Sequence, residues 1–434
     1  MQWTDEQKNA IYLKDNNILV AAAAGSGKTA VLVERIINKI VNENIDIDKL
    51  LVVTFTNAAA SEMRERILKA IYKKQDESEK QEDVENLQKQ INLLNKASIC
   101  TIDSFCLDII RNNFYELNIT PNFRIADTAE TELLKQETLE ELFEKKYEEK
   151  NEDFQKLIKT YTSYRDDTPL KELILKIYTY IESSPFPEEW LEEKIEMFNI
   201  ENVNMDFAKT KWGEILLKDV NDELIDSIAA LNTQMNRLSV EKDLEKFVLL
   251  IKQDISQLEL LKSNLDSWDK SFSLANSIEF GRWPSNKILS EAKEKAKKVR
   301  DEVKNKLKKK IDKIFISNSN EACQDIVDMY NVLRKLKNVI IEFDKEFFKK
   351  KQQKNILDFT DIEHLALKIL INKEGEKIIK TDVAKRYEEK FTEIAIDEYQ
   401  DSNLVQEYIL TAVSNGKNIF MVGDVKQSIY KFRQ

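Results

Sequence analysis

"AAAAGSGKT", residues 21–29, decides how the chain is read. It follows a short apolar run, "NNILVAAA" (16–23), and leads into "TAVLVERIINKIV" (29–41), whose apolar spacing is helical. A strand that enters a glycine loop and leaves as a helix makes a phosphate cradle. Successive backbone N–H groups and the helix N-terminus converge there on one anion. Measured against G-x-x-x-x-G-K-[ST], Ala22 replaces the first glycine, while Gly25, Ser26, Gly27, Lys28 and Thr29 keep the nest. A small residue at the strand exit is tolerated where φ is negative. The loop, with Ala23 and Ala24, is therefore expected to hold a nucleotide, Lys28 on its β- and γ-phosphates and the Thr29 hydroxyl on Mg²⁺.

Outward from the loop, the first 125 residues alternate between strand and helix. "KLLVVTFT" (49–56) reads as a buried strand, with a helix from about Asn57 to Tyr72. "ASICTIDSF" (97–105) reads as a strand ending in a turn. The charged stretch between them, "KKQDESEKQEDVENLQKQ" (73–90), is too polar for core and is expected to project into solvent. From 127 to 354 the pattern is helical, punctuated at "SSPFPEEW" (183–190) and "FGRWPSN" (280–286). The strand–helix grammar then returns with "FTEIAID" (391–397), "SNLVQEYILTAV" (402–413) and "NIFMVGD" (418–424). This predicts an α/β fold: a parallel sheet with helices on both faces, interrupted by an all-helical insertion domain. The expected divisions are 1–126, 127–354 and 355–434.

Composition bounds the function classes. The 434 residues suffice for two or three domains. Only 7 Gly and 5 Pro occur, so helices should dominate. No apolar run reaches membrane-spanning length, and the N-terminus lacks a signal-peptide pattern. Three cysteines (Cys100, Cys106, Cys323) and the single His364 do not make a zinc or iron–sulfur site, and they suit a reducing cytoplasm. The cysteines read as small core residues and His364 as a packed or capping one. The net charge of −11 argues weakly against nucleic acid, but it averages over faces. Residues 291–313 carry eleven basic and five acidic groups, and a second basic knot, "KEFFKKKQQK", spans 345–354. Both read as solvated helix faces, with a DNA-facing stripe as the alternative that the counts leave open.

A nucleotide site also needs a carboxylate for the metal and a group that activates water. Two apolar strands end in aspartate. Asp103 is followed by Ser104, which is no base. Asp397 is followed by Glu398, the tandem that hydrolysis requires. Asp397–Glu398 is the better candidate, although most of the chain separates it from Lys28.

Taken in order, "WTDEQ" (3–7), "AAAAGSGKT", "VVTFTNAAASEMRERI" (52–67), "TIDSFC" (101–106), "AIDEYQDSN" (395–403) and "MVGDVKQSIYKFR" (421–433) resemble the motifs of UvrD-like superfamily-one DNA helicases. The wording is most similar to the AddA subfamily, the A-type subunits of bacterial ATP-dependent helicase/nucleases. "LDFTDIEHLAL" (357–367) shares that likeness. The resemblance implies a RecA-like ATP-binding domain and an ATP-dependent 3′→5′ DNA helicase that processes double-strand ends for recombination. It also implies an AddB-type partner subunit, single-stranded and end-containing double-stranded DNA as partners, and ATP with Mg²⁺ as cofactors.

By the same resemblance Gln7 reads the adenine edge, Asp397 and Thr29 hold Mg²⁺, Glu398 polarises water and Gln427 senses the γ-phosphate. Thr54, Phe55, Thr56 and Asn57 touch the single strand, Thr101 and Ser104 form a second phosphate-contacting turn, and Tyr430 and Phe432 stack bases. The residues themselves leave alternatives open. Gln7 also suits an ordinary surface, Phe55 a strand core, and Tyr430 and Phe432 an exposed strand with one buried face. Asp103 stands where some relatives carry histidine. After "YKFRQ" the subfamily's later helicase motifs and its nuclease domain have no counterpart. The expectation is an N-terminal motor half, weakly active alone. The alternative is a nucleotide-gated ssDNA-binding module without turnover.

Overall fold

The structure is a computed structural model that describes residues 3–23, 27–117, 119–162, 166–200, 202–285 and 288–424. Nine strands are described: β1 (Ile18–Ala21), β2 (Leu50–Thr54), β3 (Ser98–Thr101), β4 (Arg124–Ile125), β5 (Ile356–Leu357), β6 (Ile371–Glu374), β7 (Lys377–Lys380), β8 (Glu393–Ile396) and β9 (Ile419–Gly423). Five form a parallel sheet in the order β1-β9-β8-β2-β3. β4 pairs with β5, and β6 with β7 as a hairpin. All five strands expected from the sequence are present.

Alternate residues of the central strands feed two cores, as strands buried on both faces must. Leu50 and Val52 of β2 point to one side, with Phe420 and Val422 of β9. There they meet Leu32 and Ile36 of α2 (Lys28–Asn42), Met63 and Ile67 of α3 (Asn57–Glu77), and Ile11 of α1 (Asp5–Tyr12). Leu51 and Val53 point to the other side, with Ile394 and Ile396 of β8. Their partners include Phe105 and Ile109 of α5 (Ile102–Asn112), Leu365 and Ile369 of α15 (Phe359–Leu370), and Val405 and Ile409 of α17 (Leu404–Ala412). Helices therefore cover both faces.

The stretch at 73–90 does not project into solvent as a loop. α3 continues to Glu77, and α4 (Gln81–Leu93) packs back through buried Leu87 and Gln90. The Gln90 amide accepts from the Ile47 N–H at 2.9 Å and donates to Asp46 at 2.7 Å, fixing the turn that starts β2. A few inward residues at helical spacing suffice to dock an otherwise polar helix.

No strand falls within 128–353 among the described residues. The helices there are α6 (Thr128–Glu148), α7 (Glu152–Tyr161), α8 (Thr168–Ile181), α9 (Pro187–Glu196), α10 (Lys211–Ser239), α11 (Glu245–Lys262), α12 (Trp268–Ser277), α13 (Glu291–Ile314) and α14 (Ser319–Gln353). The chain forms two compact units, Met1–Trp190 with Asn338–Gln434, and Leu191–Lys337. These limits differ from the expected 127 and 354, because α6 to α8 and the end of α14 pack with the sheet-bearing unit. Phe143, Tyr178 and Phe347 are buried there.

The second unit is built around α10, whose Leu217, Leu224, Leu231 and Leu238 recur every seven residues and are buried against α11 and α13. α13 buries Ala296, Val303, Leu307 and Ile311, so most of its lysines face solvent as the sequence suggested. Lys293 and Arg300 are exceptions, Arg300 buried in a two-bond pair with Asp254 at 2.5 and 3.1 Å. In the basic knot at 345–354, Lys351 is likewise buried rather than solvated.

Candidate nucleotide site

All five parallel strands end at one edge, and the register sets Ala21 beside Gly423, Ile396 beside Met421 and Val53, and Thr54 beside Thr101. In open α/β sheets this carboxyl edge is where ligands bind. Gly27 caps α2 with φ +81°, a left-handed conformation that suits glycine. Lys28 and Thr29 then open the 15-residue helix, so its N-terminal N–H groups face the edge. Ala22 and Ala23 lead out of β1, the Ala22 N–H bonding to the Gly423 carbonyl at 3.1 Å. Ala24, Gly25 and Ser26 lie outside the described residues, as do Gln427, Tyr430 and Phe432.

The sheet brings Asp397 and Glu398 to this loop. The Asp397 N–H extends the ladder to the Val53 carbonyl at 2.9 Å, holding the carboxyl at the strand tip. At Glu398 the backbone turns left-handed, φ 57° and ψ 45°, which a non-glycine residue adopts rarely and at a cost on the order of 1 kcal/mol. The turn aims its carboxylate back toward the loop, with Oε2 4.0 Å from Lys28 Nζ. Burial, reinforced by the Glu398 charge, pushes the Asp397 carboxyl up to about 6, while Lys28 acts against the shift.

Two atoms show what the site lacks. Lys28 Nζ and Asp397 Oδ1 are buried without a hydrogen-bond partner among the described residues. A buried ammonium and carboxylate oxygen in that state are costly unless a ligand completes them. A phosphate for the amine and a hard divalent cation for the carboxylate match that donor set, so the residues fit ATP·Mg²⁺.

Other expected site residues fall at the same edge. Gln7 lies in a capping box: its Oε1 accepts from the Thr4 N–H at 3.0 Å, and Thr4 Oγ1 accepts from the Gln7 N–H. That bond turns Nε2 toward the loop, 3.7 Å from where a Cβ on Gly27 would stand. The cap was legible as T-x-x-Q in "TDEQ".

Thr54 is buried, and its hydroxyl donates to the Thr56 carbonyl at 3.1 Å. Phe55 lies one residue past β2 and is half-buried, so it is not a strand-core residue. Thr56 caps α3, and it and Asn57 are exposed. Thr101 is buried and caps α5, accepting from the Ser104 N–H at 3.2 Å with the two hydroxyls 2.9 Å apart. Two helix N-termini thus open side by side beyond β2 and β3. Asp103 sits in the first turn of α5, away from the Lys28–Glu398 pair in the strand order. His364 is a packed residue, as expected, its Nε2 3.0 Å from the Glu182 carbonyl oxygen.

Sequence reading passed over Gln400 and Gly423. The Gln400 Nε2 donates to Glu398 Oε2 at 2.6 Å, and its Oε1 accepts from the Asp424 N–H at 2.8 Å. At the opposite end of the strands a cleft of about 310 Å³ is lined by Lys14, Arg35, Lys39 and Glu393. Its charges satisfy one another: Arg35 makes two 2.7 Å bonds to Glu393, and Lys39 a third contact at 3.0 Å. With its charges already paired, that cleft is not the better site.

Comparison with known proteins agrees with this geometry. Residues 3–434 match the UvrD/REP helicase N-terminal domain family. The chain is 45% identical to the A-type subunit of the ATP-dependent helicase/nuclease of Acetivibrio thermocellus, matching 100% of the chain and 35% of the relative. The proteins of the same name from Clostridioides difficile (44%, 35% of the relative) and Clostridium perfringens (46%, 35%) match equally fully on this side. The chain thus spans about a third of the length of these relatives. A phosphate loop, a tandem acidic pair meeting it across the sheet and a match over nearly every residue lead to one assignment: the chain belongs to the UvrD-like helicases, as their N-terminal domain.

Proposed function

We propose that this chain is the N-terminal motor half of the A-type subunit of an ATP-dependent 3′→5′ DNA helicase/nuclease, acting in the cytoplasm on double-strand DNA ends for recombinational repair. It works with a B-type partner subunit. One observation carries the nucleotide half of this reading. Lys28 and the Asp397–Glu398 pair come from opposite ends of the chain, yet they meet at the carboxyl edge, with the amine and an Asp397 oxygen buried and without a hydrogen-bond partner among the described residues. In this reading Lys28 and the α2 N-terminus hold the β- and γ-phosphates. Thr29 and Asp397 hold Mg²⁺, which neutralises developing charge on the phosphates when bound. Glu398 orients the attacking water and accepts its proton, Gln7 meets the adenine and Gln427 senses the γ-phosphate.

The DNA half is supported by the paired helix N-termini of α3 and α5, with Thr56, Asn57 and Ser104 offering polar groups to phosphates and Phe55 a ring to a base. Thr54 and Thr101 act beneath them by shaping the turns, and Tyr430 and Phe432 complete the strand path. The helical stretch within 127–354 is read as an insertion into the motor domain.

The test is calorimetry of ATP·Mg²⁺ on wild type and Lys28→Ala, with single-turnover hydrolysis on Glu398→Gln. Expected are lost or crippled binding in the first and retained binding with lost hydrolysis in the second. Equal ATP affinity in wild type and Lys28→Ala overturns the reading.

A further inference from the structure

Gln400 links two parts of the site that the chain keeps apart. Its amide orientation is not arbitrary. The Asp424 backbone N–H can only donate, so the Gln400 oxygen must face it, and the NH₂ is left for the Glu398 carboxylate oxygen. The two bonds, at 2.6 and 2.8 Å, run from Glu398 on the turn after β8 to the first residue after β9. Gly423 makes room for this clamp. A Cβ there would stand 2.7 Å from Gln400 Oε1 and 3.3 Å from the Gln400 backbone nitrogen. The close approach therefore demands glycine for space rather than for backbone freedom.

We propose that Gln400 is a positioning residue for hydrolysis, resting on the assignment of Glu398 as the group that activates water. Glu398 sits in a left-handed turn, and its side chain is 42% exposed. A flexible acid at that exposure would sample many rotamers. The bond to Gln400 selects one, and the bond from Asp424 ties that rotamer to the exit of β9. A shift of Asp424 at the exit of β9 is thereby felt at the carboxylate through a single amide. Gln400 acts through Glu398 and touches no reacting atom.

The experiment compares Gln400→Ala, Gln400→Glu and Gly423→Ala in the full chain. ATP·Mg²⁺ affinity is read by calorimetry, and single-turnover hydrolysis is followed with protein in excess. Gln400→Ala should slow hydrolysis roughly 10- to 100-fold, the loss of one hydrogen bond to a charged group, with ATP affinity and Tm near wild type. Gln400→Glu keeps an acceptor for Asp424 but loses the donor to Glu398, so it should slow hydrolysis as much. Gly423→Ala leaves both side chains chemically intact and should slow it by displacing the amide.

In a Glu398→Gln background none of the three should cost anything further, whereas a merely structural role would add its loss in full. Wild-type rates in Gln400→Glu and Gly423→Ala, or fully additive losses, overturn the proposal while leaving Glu398 in its role. A Glu398→Gln rate equal to wild type overturns the assignment of Glu398, and the positioning role with it.

Discussion

Asp397 carries a cost that shows where the site's binding energy is aimed. Its carboxyl is raised from 3.8 to about 6 by burial first and by Glu398 second. A folded-state value above the unfolded one means that this residue's stability contribution is complete below pH ~4 and is lost as pH rises through about 6. At pH 7.5 the metal-free protein thus holds an unfavourable charge, worth at most about 3 kcal/mol. Asp397→Asn should raise the Tm of the metal-free chain at pH 7.5 and leave it nearly unchanged at pH 4. The stabilisation of wild type by Mg²⁺ with ADP should grow between pH 5.5 and 7.5, because metal binding must expel that proton. Scanning fluorimetry reads both. Of the residues involved, Lys28 was legible from the glycine loop before it, and Asp397–Glu398 as a tandem acid pair closing an apolar strand. Gln400 was not, since nothing in a glutamine's identity says that its amide reaches the end of another strand.

Among the elements, the junction of α14 with α15 holds a buried lysine between two largely buried aspartates. Lys351 bonds Asp358 at 2.9 Å and Asp361 at 2.6 Å and lies 4.1 Å from the centre of the Phe347 ring. Asp358 and Asp361 form the capping box that starts α15. Lys351→Met should destabilise the chain by about 3–5 kcal/mol in urea, because two buried carboxylates lose their counter-ion. Nearby Glu182 is pushed up to about 8, by burial first and then by the Asp344 carboxylate. It therefore opposes stability increasingly as pH rises from about 4.5 to 8. Glu182→Gln should abolish that slope, ending more stable than wild type by roughly 2–4 kcal/mol at pH 8.5. The strands were legible as unbroken apolar runs and α2 from its spacing. The docking of α4 was not, because two inward residues, Leu87 and Gln90, hardly alter a polar composition. "LDFTDIEHLAL" likewise showed its helix but not the lysine on another helix that locks its cap.

For the whole molecule, both units are well supplied with core, yet the candidate nucleotide site belongs to the sheet-bearing unit, where Lys28, Asp397 and Glu398 all lie. The relatives are about three times longer, and the proposed function leaves the arginine fingers of hydrolysis to a part of the protein outside these 434 residues. Fingers contribute roughly 10³–10⁵ in phosphoryl transfer. The 434-residue chain alone is thus expected to bind ATP·Mg²⁺, hydrolyse it slowly with little ssDNA stimulation, and separate no strands. Robust ssDNA-stimulated turnover by a monomer, measured as phosphate release, would contradict this. The sheet order also has a consequence during synthesis. β1 occupies an edge, and its partner in the sheet is β9. Roughly 400 residues separate the two, and a ribosome adding about 5–20 residues per second needs roughly 20–80 s to cross them. For that time β2 and β3 have each other, while "ILVA" waits for a neighbour. β1, which leads into the candidate loop, is thus made early and gains its sheet neighbour late, and a nascent chain has to keep that edge strand shielded in the interval.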